Sequence, residues 1–188
     1  MARGNPAERL VELLEAIERA GIAYALTGSG AGLLYGLSRA TVDFDVLVDL
    51  APGDVDAFVR ACGEGYYLDR EAIIEAVRRQ TMFNIIPLAG GTKVDIIVVS
   101  GDAFEQAKFR RRRRARWMDA SVWVVTAADL VISKLRWAKE SQSARHLADV
   151  RAIMAAGQVE EDDEFRHWIA TLGLQQALDA SREARYDA

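Results

Sequence analysis

One segment, TVDFDVLVDL over residues 41–50, constrains the fold more than any other part of the sequence. Polar and apolar residues alternate strictly over residues 41–46, and this pattern predicts a β-strand because side chains two residues apart share a face. Asp43 and Asp45 therefore point to the same side, while the residues between and beside them point into a core. Aspartate is depleted within strands, so two carboxylates on one face indicate a specialised surface; the alternative is a solvated outer face.

The rest of the chain predicts an α/β (α+β) fold, in which a mixed sheet is flanked by helices and followed by a C-terminal helical bundle. Apolar periodicity and turn residues predict helices over residues 6–20, 29–37, 52–61, 71–79 and 101–110. Strands are predicted over residues 22–28, 82–88, 93–100 and 121–126. Every later segment has a helical pattern, so we expect an α/β domain over residues 1–126 and a helical region over residues 127–188 packed against it.

The composition is that of an ordinary globular protein, because 51% of the 188 residues are hydrophobic, enough for one well-buried core. Cys62 is the sole cysteine of the sequence, so no internal disulfide forms, and a buried structural role is expected. The first 21 residues carry acidic side chains within their apolar pattern, unlike a secretory signal. No apolar run approaches the ~20 residues that span a bilayer. These features predict a cytoplasmic location and no membrane partner.

A third carboxylate, Asp95, stands in the apolar strand segment KVDIIVVS. Burying a lone carboxylate costs several kcal/mol unless it is paired or binds a metal ion. If this strand lies beside the strand of Asp43 and Asp45, the three carboxylates form a cage of oxygen ligands, which Mg²⁺ prefers. Such a cage suits two Mg²⁺ ions about 3.5–4 Å apart, one beside an attacking hydroxyl and one on a triphosphate.

A Gly28-Ser29 pair stands where a predicted strand passes into a predicted helix. Glycine allows a tight turn and a close approach of a ligand to the backbone, and serine caps a helix. The N–H groups at the start of that helix suit an anionic phosphate. The alternative is a Gly-Ser turn that serves only to cap the helix.

Together these residues resemble the polymerase-β-type nucleotidyltransferase superfamily, whose motif is a Gly-Ser or Gly-Gly turn, an Asp-x-Asp pair and a third Asp. The matching residues here are Gly28, Ser29, Asp43, Asp45 and Asp95. The resemblance implies a nucleotidyltransferase fold and an enzyme that transfers a nucleoside monophosphate from an NTP to a hydroxyl. It also implies that the three aspartates are catalytic and bind two Mg²⁺ ions, with Asp95 helping to activate the acceptor hydroxyl as a base.

The closer resemblance is to minimal bacterial members, including abortive-infection toxin-like nucleotidyltransferases of toxin–antitoxin systems. In those proteins an Arg-x-Thr often leads into the acidic pair, and Arg39 and Thr41 stand in that place here. Those proteins also tend to have a later helix with a lysine, followed by a helix with an arginine and an aspartate. The matching residues here are Lys134 in the first of these helices and Arg145 and Asp149 in the second. The structural alternative for Arg145 and Asp149 is a salt bridge between residues one helical turn apart. The structural alternative for Lys134 is a position on the protein surface.

By that resemblance, the nucleotide would be held by Gly28, Ser29, Arg39, Thr41 and Lys134. The glycine and the serine would hold the β- and γ-phosphates, and Lys134 would add positive charge at the triphosphate. A cognate antitoxin protein is then a further expected partner.

An arginine run, Arg110–Arg116, is interrupted only by Ala115 and is flanked by Phe109 and Trp117. Such a run is able to follow the phosphates of tRNA or another RNA, with the aromatic rings available for stacking. The alternatives are a solvated helix end and loop, or a surface for an acidic antitoxin. RNA is therefore one candidate acceptor and a small-molecule antibiotic another. A non-catalytic module that binds nucleotide, RNA or a protein partner is the other function that the sequence allows.

Overall fold

The computed structural model describes residues 5–39 and 43–183, and they fall into two compact units. The described residues of the first unit are 5–30 and 43–125, and those of the second unit are 31–39 and 126–183. The division passes within the helix that begins at Gly28 and again between two consecutive residues at 125 and 126. Each unit contains fully buried hydrophobic side chains.

In the first unit the described residues form a seven-stranded mixed sheet. The strands are β1 Ala23–Thr27, β2 Asp43–Asp49, β3 Tyr66–Tyr67, β4 Met82–Pro87, β5 Lys93–Val98, β6 Arg113–Trp117 and β7 Ala120–Val124. Their order across the sheet is β3-β4-β5-β2-β1-β7-β6. The pairs β2–β5 and β1–β7 are parallel, and the other neighbours are antiparallel.

Among the described residues, four helices belong to the first unit, and a fifth spans the division between the units. The four are α1 Pro6–Arg19, α3 Val55–Cys62, α4 Arg70–Arg79 and α5 Ala103–Arg110, and the fifth is α2 Gly28–Leu34. Helix α1 begins at a capping box, in which the Asn5 side chain accepts from the Ala7 N–H and Glu8 accepts from the Asn5 N–H, both at 3.1 Å. The helix then buries its apolar stripe, Leu10, Leu13, Leu14 and Ile17.

Along β4 and the first half of β2, buried and less buried residues alternate, so one face of the sheet there packs into the core of the first unit. In β4, Phe83 and Ile85 are buried while Asn84 between them is exposed. In β2, Phe44 and Val46 are buried as the alternation predicts. The aspartates of β2 therefore lie on the opposite face of the sheet.

The second unit contains four further helices, α6 Ala127–Ser141, α7 Ala144–Ala155, α8 Asp163–Thr171 and α9 Gln175–Glu183. Helix α6 contacts the other three, and α7 also contacts α9, so this part of the chain is a helical bundle, as predicted. Thr126 caps α6, since its hydroxyl accepts from the Asp129 N–H at 3.1 Å. Across residues 5–39 and 43–183, no helix has both the length and the apolar character needed to cross a membrane.

Strands β3 and β6 are not among the strands that the sequence pattern predicts. Strand β6 lies within the arginine run, for which a helix end and a loop are the structural alternative from the sequence. Its residues pair with β7 from Arg113 opposite Val124 to Trp117 opposite Ala120, and a turn through Met118 with φ 53° joins the two strands. The strand is at the edge of the sheet, where charged side chains replace the usual apolar alternation.

Cys62 ends α3 and is buried, as the sequence predicts. Burial raises the pKa of its thiol to about 12, so the thiolate is not populated near neutral pH. Cys62 is therefore an unreactive residue of the core.

Candidate functional site

The carboxylates of β2 and β5 share one face of the sheet. The two strands are parallel neighbours, and their register places Asp45 opposite Asp95 and Asp43 opposite Lys93. Because neighbouring strands lie about 4.8 Å apart, side chains of opposed residues stand side by side. The prediction that the strand of Asp95 lies beside the strand of the acidic pair is confirmed. We call Asp43, Asp45, Asp95 and their partners Lys93 and Asn84 the acidic cluster.

Gly28 lies against this cluster at the point where β1 passes into α2. Its φ of +59° is a left-handed conformation that favours glycine. A Cβ atom on Gly28 would lie 1.9 Å from Oδ2 of Asp45, so the carboxylate occupies the space that any other side chain would fill. Thr27, the last residue of β1, is opposite Asp45 in the register. Ser29 follows as the second residue of α2 and is half-buried.

Asp95 is the most enclosed carboxylate of the acidic cluster, with 8% of the residue exposed. The Lys93 ammonium lies 2.9 Å from Oδ1 and 3.0 Å from Oδ2 of Asp95, so it bridges both oxygens. The Asn84 amide also donates to Oδ1. Asp95 is therefore a paired carboxylate, which explains how an apolar strand accommodates it.

Lys93 experiences the charge of all three aspartates. The hydrogen bond to Asp95 and the negative charges of Asp95, Asp43 and Asp45 raise the pKa of Lys93 above its usual value, although desolvation acts in the other direction. Neither Lys93 nor Asn84 is among the site residues that the sequence predicts. Strand alternation offered a signal for Lys93, because it precedes Asp95 by two residues and must share its face.

The donor chemistry of the acidic cluster fits a hard divalent cation. Carboxylate oxygens are the ligands that Mg²⁺ prefers, and three carboxylates share one face beside a glycine without a side chain. Among the residues that the structure describes, however, no group of three or more His, Cys, Asp or Glu side chains is arranged as a ready metal site. Asp95 is instead engaged by an ammonium and an amide.

A second charged cluster lies in the second unit, and we call its members, Arg39, Lys134 and Asp149, the basic cluster. The Arg39 guanidinium donates to Asp149 from Nε at 2.9 Å and from Nη2 at 2.7 Å. The Lys134 ammonium donates to Oδ2 of Asp149 at 2.7 Å. Only 6% of the Lys134 side chain and 5% of the Asp149 side chain are exposed.

The basic cluster corrects two structural alternatives from the sequence. Lys134 is not a surface lysine, because it is buried on α6. Asp149 is paired with Arg39 and Lys134, so the expected partnership with Arg145 is wrong. Burial alone would raise the pKa of Asp149, but the hydrogen bonds from Arg39 and Lys134 hold that pKa below its usual value.

The residues expected at the nucleotide are thus divided between the two units. Gly28 and Ser29 belong to the first unit, and Arg39 and Lys134 belong to the second. Thr41 lies outside the described residues.

The arginine run packs partly within the first unit. The Arg112 guanidinium lies 4.3 Å from the centre of the Phe109 ring, and the Arg114 guanidinium lies 4.5 Å from the centre of the Trp123 ring. Arg114 also pairs with Glu18, which accepts from the indole N–H of Trp123 at 3.2 Å. The exposed arginines of the run are Arg110, Arg113, Arg114 and Arg116.

No protein-family model matches the sequence, and no curated protein matches it. Several solved structures match its fold. An antigenic nucleotidyltransferase-like protein from Paracoccidioides brasiliensis has a TM-score of 0.56 at 14% identity, over 100% of this chain and 96% of that one. The antibiotic-resistance factor ANT(2'')-Ia has a TM-score of 0.57 at 16% identity, over 94% of this chain and 96% of that one.

A third similar structure is the lincosamide antibiotic adenylyltransferase LnuA with lincomycin bound. Its TM-score is 0.55 at 13% identity, over 79% of this chain and 96% of that one. At these identities the similarity concerns architecture. The chain has a nucleotidyltransferase fold, with a mixed sheet, flanking helices and a helical bundle.

Proposed function

We propose that the protein is a metal-dependent nucleotidyltransferase that moves a nucleoside monophosphate from an NTP to a hydroxyl of an acceptor. The observation that carries this proposal is the position of Asp45, which stands opposite Asp95 and fills the space above the bare Cα of Gly28. The nucleotidyltransferase fold supports the same class of reaction.

In the proposed reaction the acceptor hydroxyl oxygen attacks the α-phosphorus of the NTP. The bond from that phosphorus to the oxygen bridging to the β-phosphate breaks, and pyrophosphate leaves. The hydroxyl proton passes to the Asp95 carboxylate, while Gly28 and Ser29 hold the β- and γ-phosphates. A divalent cation, held by Asp43, Asp45 and Asp95, would supply a Lewis acid for the phosphate oxygens.

The test is transfer of label from each α-labelled NTP to a panel of acceptors in the presence of Mg²⁺. We expect Asp45→Asn to lose at least about 100-fold in rate, because removal of one charge-stabilising group typically costs that much. Asp49→Asn is the matched control, because Asp49 is an exposed residue of the same strand. No transfer by the wild-type chain to any acceptor, or equal rates for wild type and Asp45→Asn, would contradict the proposal.

Two acceptor classes follow from different observations. Two of the similar structures are those of an antibiotic-resistance factor and a lincosamide antibiotic adenylyltransferase, and this likeness favours a small-molecule antibiotic. The exposed arginines of the β6 region favour RNA or tRNA. Parallel assays with total RNA and with aminoglycoside and lincosamide antibiotics separate them. Replacement of Arg110, Arg113 and Arg116 by Gln lowers transfer only if RNA is the acceptor.

The nucleotide contacts that we propose for Arg39, Thr41 and Lys134 are tested by the KM for the NTP. An Arg39→Ala chain that folds and has an unchanged KM would remove Arg39 from that set. A toxin role is tested separately, by growth arrest on expression and by its relief when a protein encoded beside the gene is co-expressed.

A non-catalytic binding module is the second candidate function. It is favoured by the engagement of Asp95 with Lys93 and Asn84 and by the lack of a ready metal group among the residues described. Calorimetry distinguishes the two functions. RNA binding that weakens with salt, without any binding of Mg²⁺ and ATP, would favour the module.

A further inference from the structure

We propose that Lys93 takes the place of the second divalent cation, so that the acidic cluster binds one metal ion rather than two. This inference rests on the proposed function, because it concerns the metal requirement of the same site. The Lys93 ammonium spans the Asp95 carboxylate at 2.9 Å and 3.0 Å from its two oxygens. That is the position a cation takes when it binds a carboxylate through both oxygens.

Few lone pairs of the Asp95 carboxylate remain available to a metal ion. A carboxylate offers about four lone-pair sites, and here the ammonium uses one on each oxygen and the Asn84 amide a second one on Oδ1, which leaves one site for a single metal ion. Mg²⁺ requires near-octahedral geometry with oxygens at about 2.0–2.1 Å, and it dehydrates reluctantly. A second ion at Asp95 would therefore have to displace the ammonium or bind beside a like charge.

The location of Lys93 in the strand places the start of its side chain beside the acidic cluster. Its Cα is opposite that of Asp43, its side chain shares the face of Asp95, and both residues belong to a strand paired on both sides. About 39% of the Lys93 side chain is exposed, so the charge is accessible to a bound ligand. The ammonium therefore provides positive charge beside the acceptor hydroxyl without a metal ion at that position.

The test counts Mn²⁺ ions bound per chain, in the absence of nucleotide, from the loss of the free-ion signal in electron paramagnetic resonance. We expect one ion for the wild-type chain and two for Lys93→Met, with Mn²⁺ affinity raised at least about tenfold in the variant. Lys93→Arg keeps the charge and should bind one ion. Lys139→Met is the matched control, because Lys139 is exposed and its ammonium donates to a backbone carbonyl, that of Leu172.

Recovery of thermal stability on addition of Mg²⁺ provides a second readout, because the loss of a purely structural lysine would not be restored by a metal ion. Without metal, Lys93→Met should unfold at a lower temperature than the wild-type chain, because three carboxylates lose one neighbouring ammonium. Added Mg²⁺ should remove most of that difference, whereas it should not change the difference between Lys139→Met and wild type.

Several results would overturn the inference. They are two ions in the wild-type chain, an unchanged count in a folded Lys93→Met chain, or no Mn²⁺ bound by either chain. The proposed function is judged independently by label transfer. If the wild-type chain transfers label and binds two ions, the role proposed for Lys93 is refuted but the proposed function is not. If it binds one ion and transfers label to no acceptor, the proposed function is refuted but the role of Lys93 in limiting the ion count is not.

Discussion

The two charged clusters of this protein are built in opposite ways. The acidic cluster groups three carboxylates with one ammonium on the face of a sheet, and its members come from neighbouring strands in register. The basic cluster places one carboxylate between two cations, and its members come from a loop and two helices of the other unit. Lys134 and Asp149 are buried, whereas Lys93 is partly exposed.

The difference separates two uses of charge. A buried carboxylate that is engaged by two cations holds segments of chain in place. Carboxylates that share an accessible face have the geometry of a binding surface, and they require positive charge from a neighbour or a ligand. We therefore expect substitutions in the basic cluster to change stability most and those in the acidic cluster to change binding and rate most.

The largest stability effect is expected for Asp149→Ala. It leaves the Lys134 ammonium buried without its carboxylate, and removing one partner of a buried pair costs about 3–5 kcal/mol. Asp56→Ala is the matched control, because Asp56 pairs with Arg70 at an exposed site, and such pairs contribute about 0–1 kcal/mol. Denaturant unfolding of the two variants makes the comparison. Equal losses in the free energy of unfolding would mean that the basic cluster does not stabilise the fold more than an exposed ion pair does.

Gly28→Ala should have a smaller effect on stability, about 2–3 kcal/mol, from the left-handed backbone and the collision with Asp45. It should also abolish measurable nucleotidyl transfer, because the carboxylate must move. Gly21→Ala is the control: Gly21 has φ +78° but open space at the Cβ position, so only the backbone strain of about 1 kcal/mol remains. Full activity in Gly28→Ala would exclude the proposed site.

Acid should lower the stability of the folded chain through Asp149, and the Asp149→Asn variant should lack this effect. The pKa of Asp149 is lowered in the folded chain, so its contribution to stability is complete above the usual carboxyl pKa. That contribution is lost as the pH falls through the lowered pKa of the folded state. Unfolding curves between neutral and acid pH should therefore converge for wild type and Asp149→Asn. Parallel curves would contradict this linkage.

The smallest effect is expected for a conservative exchange. Arg39→Lys keeps the charge but replaces a guanidinium that donates twice to Asp149, so it should cost about 1 kcal/mol. The reverse exchange in the acidic cluster, Lys93→Arg, should leave the free energy of unfolding nearly unchanged. If Lys93→Arg lowers the free energy of unfolding more than Arg39→Lys does, the expected difference between the two clusters is wrong.

The sequence predicts the acidic cluster far better than the basic one, for a geometric reason. Strand alternation fixes the face of Asp43 and Asp45, and an apolar strand with one aspartate identifies Asp95. The same rule was sufficient to include Lys93. No local period relates Arg39 to Asp149, which is 110 residues away, so their bond follows only from the packing of the unit.

The same limit explains the missed edge strand. An arginine-rich segment lacks the apolar alternation that identifies a strand, and its pairing with β7 depends on Trp117 and on the following turn. The helices and the other long strands have strong periodicity, and those predictions agree with the structure. Strand β3 has two residues, too few for any periodic signal.

The charged edge strand also disfavours edge-to-edge pairing between copies of this protein. Two sheets joined antiparallel along β6 would bring guanidinium groups of one copy close to those of the other, which is unfavourable for like charges on adjacent strands. Repulsion at this edge therefore disfavours the edge-to-edge strand pairing that builds extended fibrils. Added salt should weaken this effect, because it screens the repulsion.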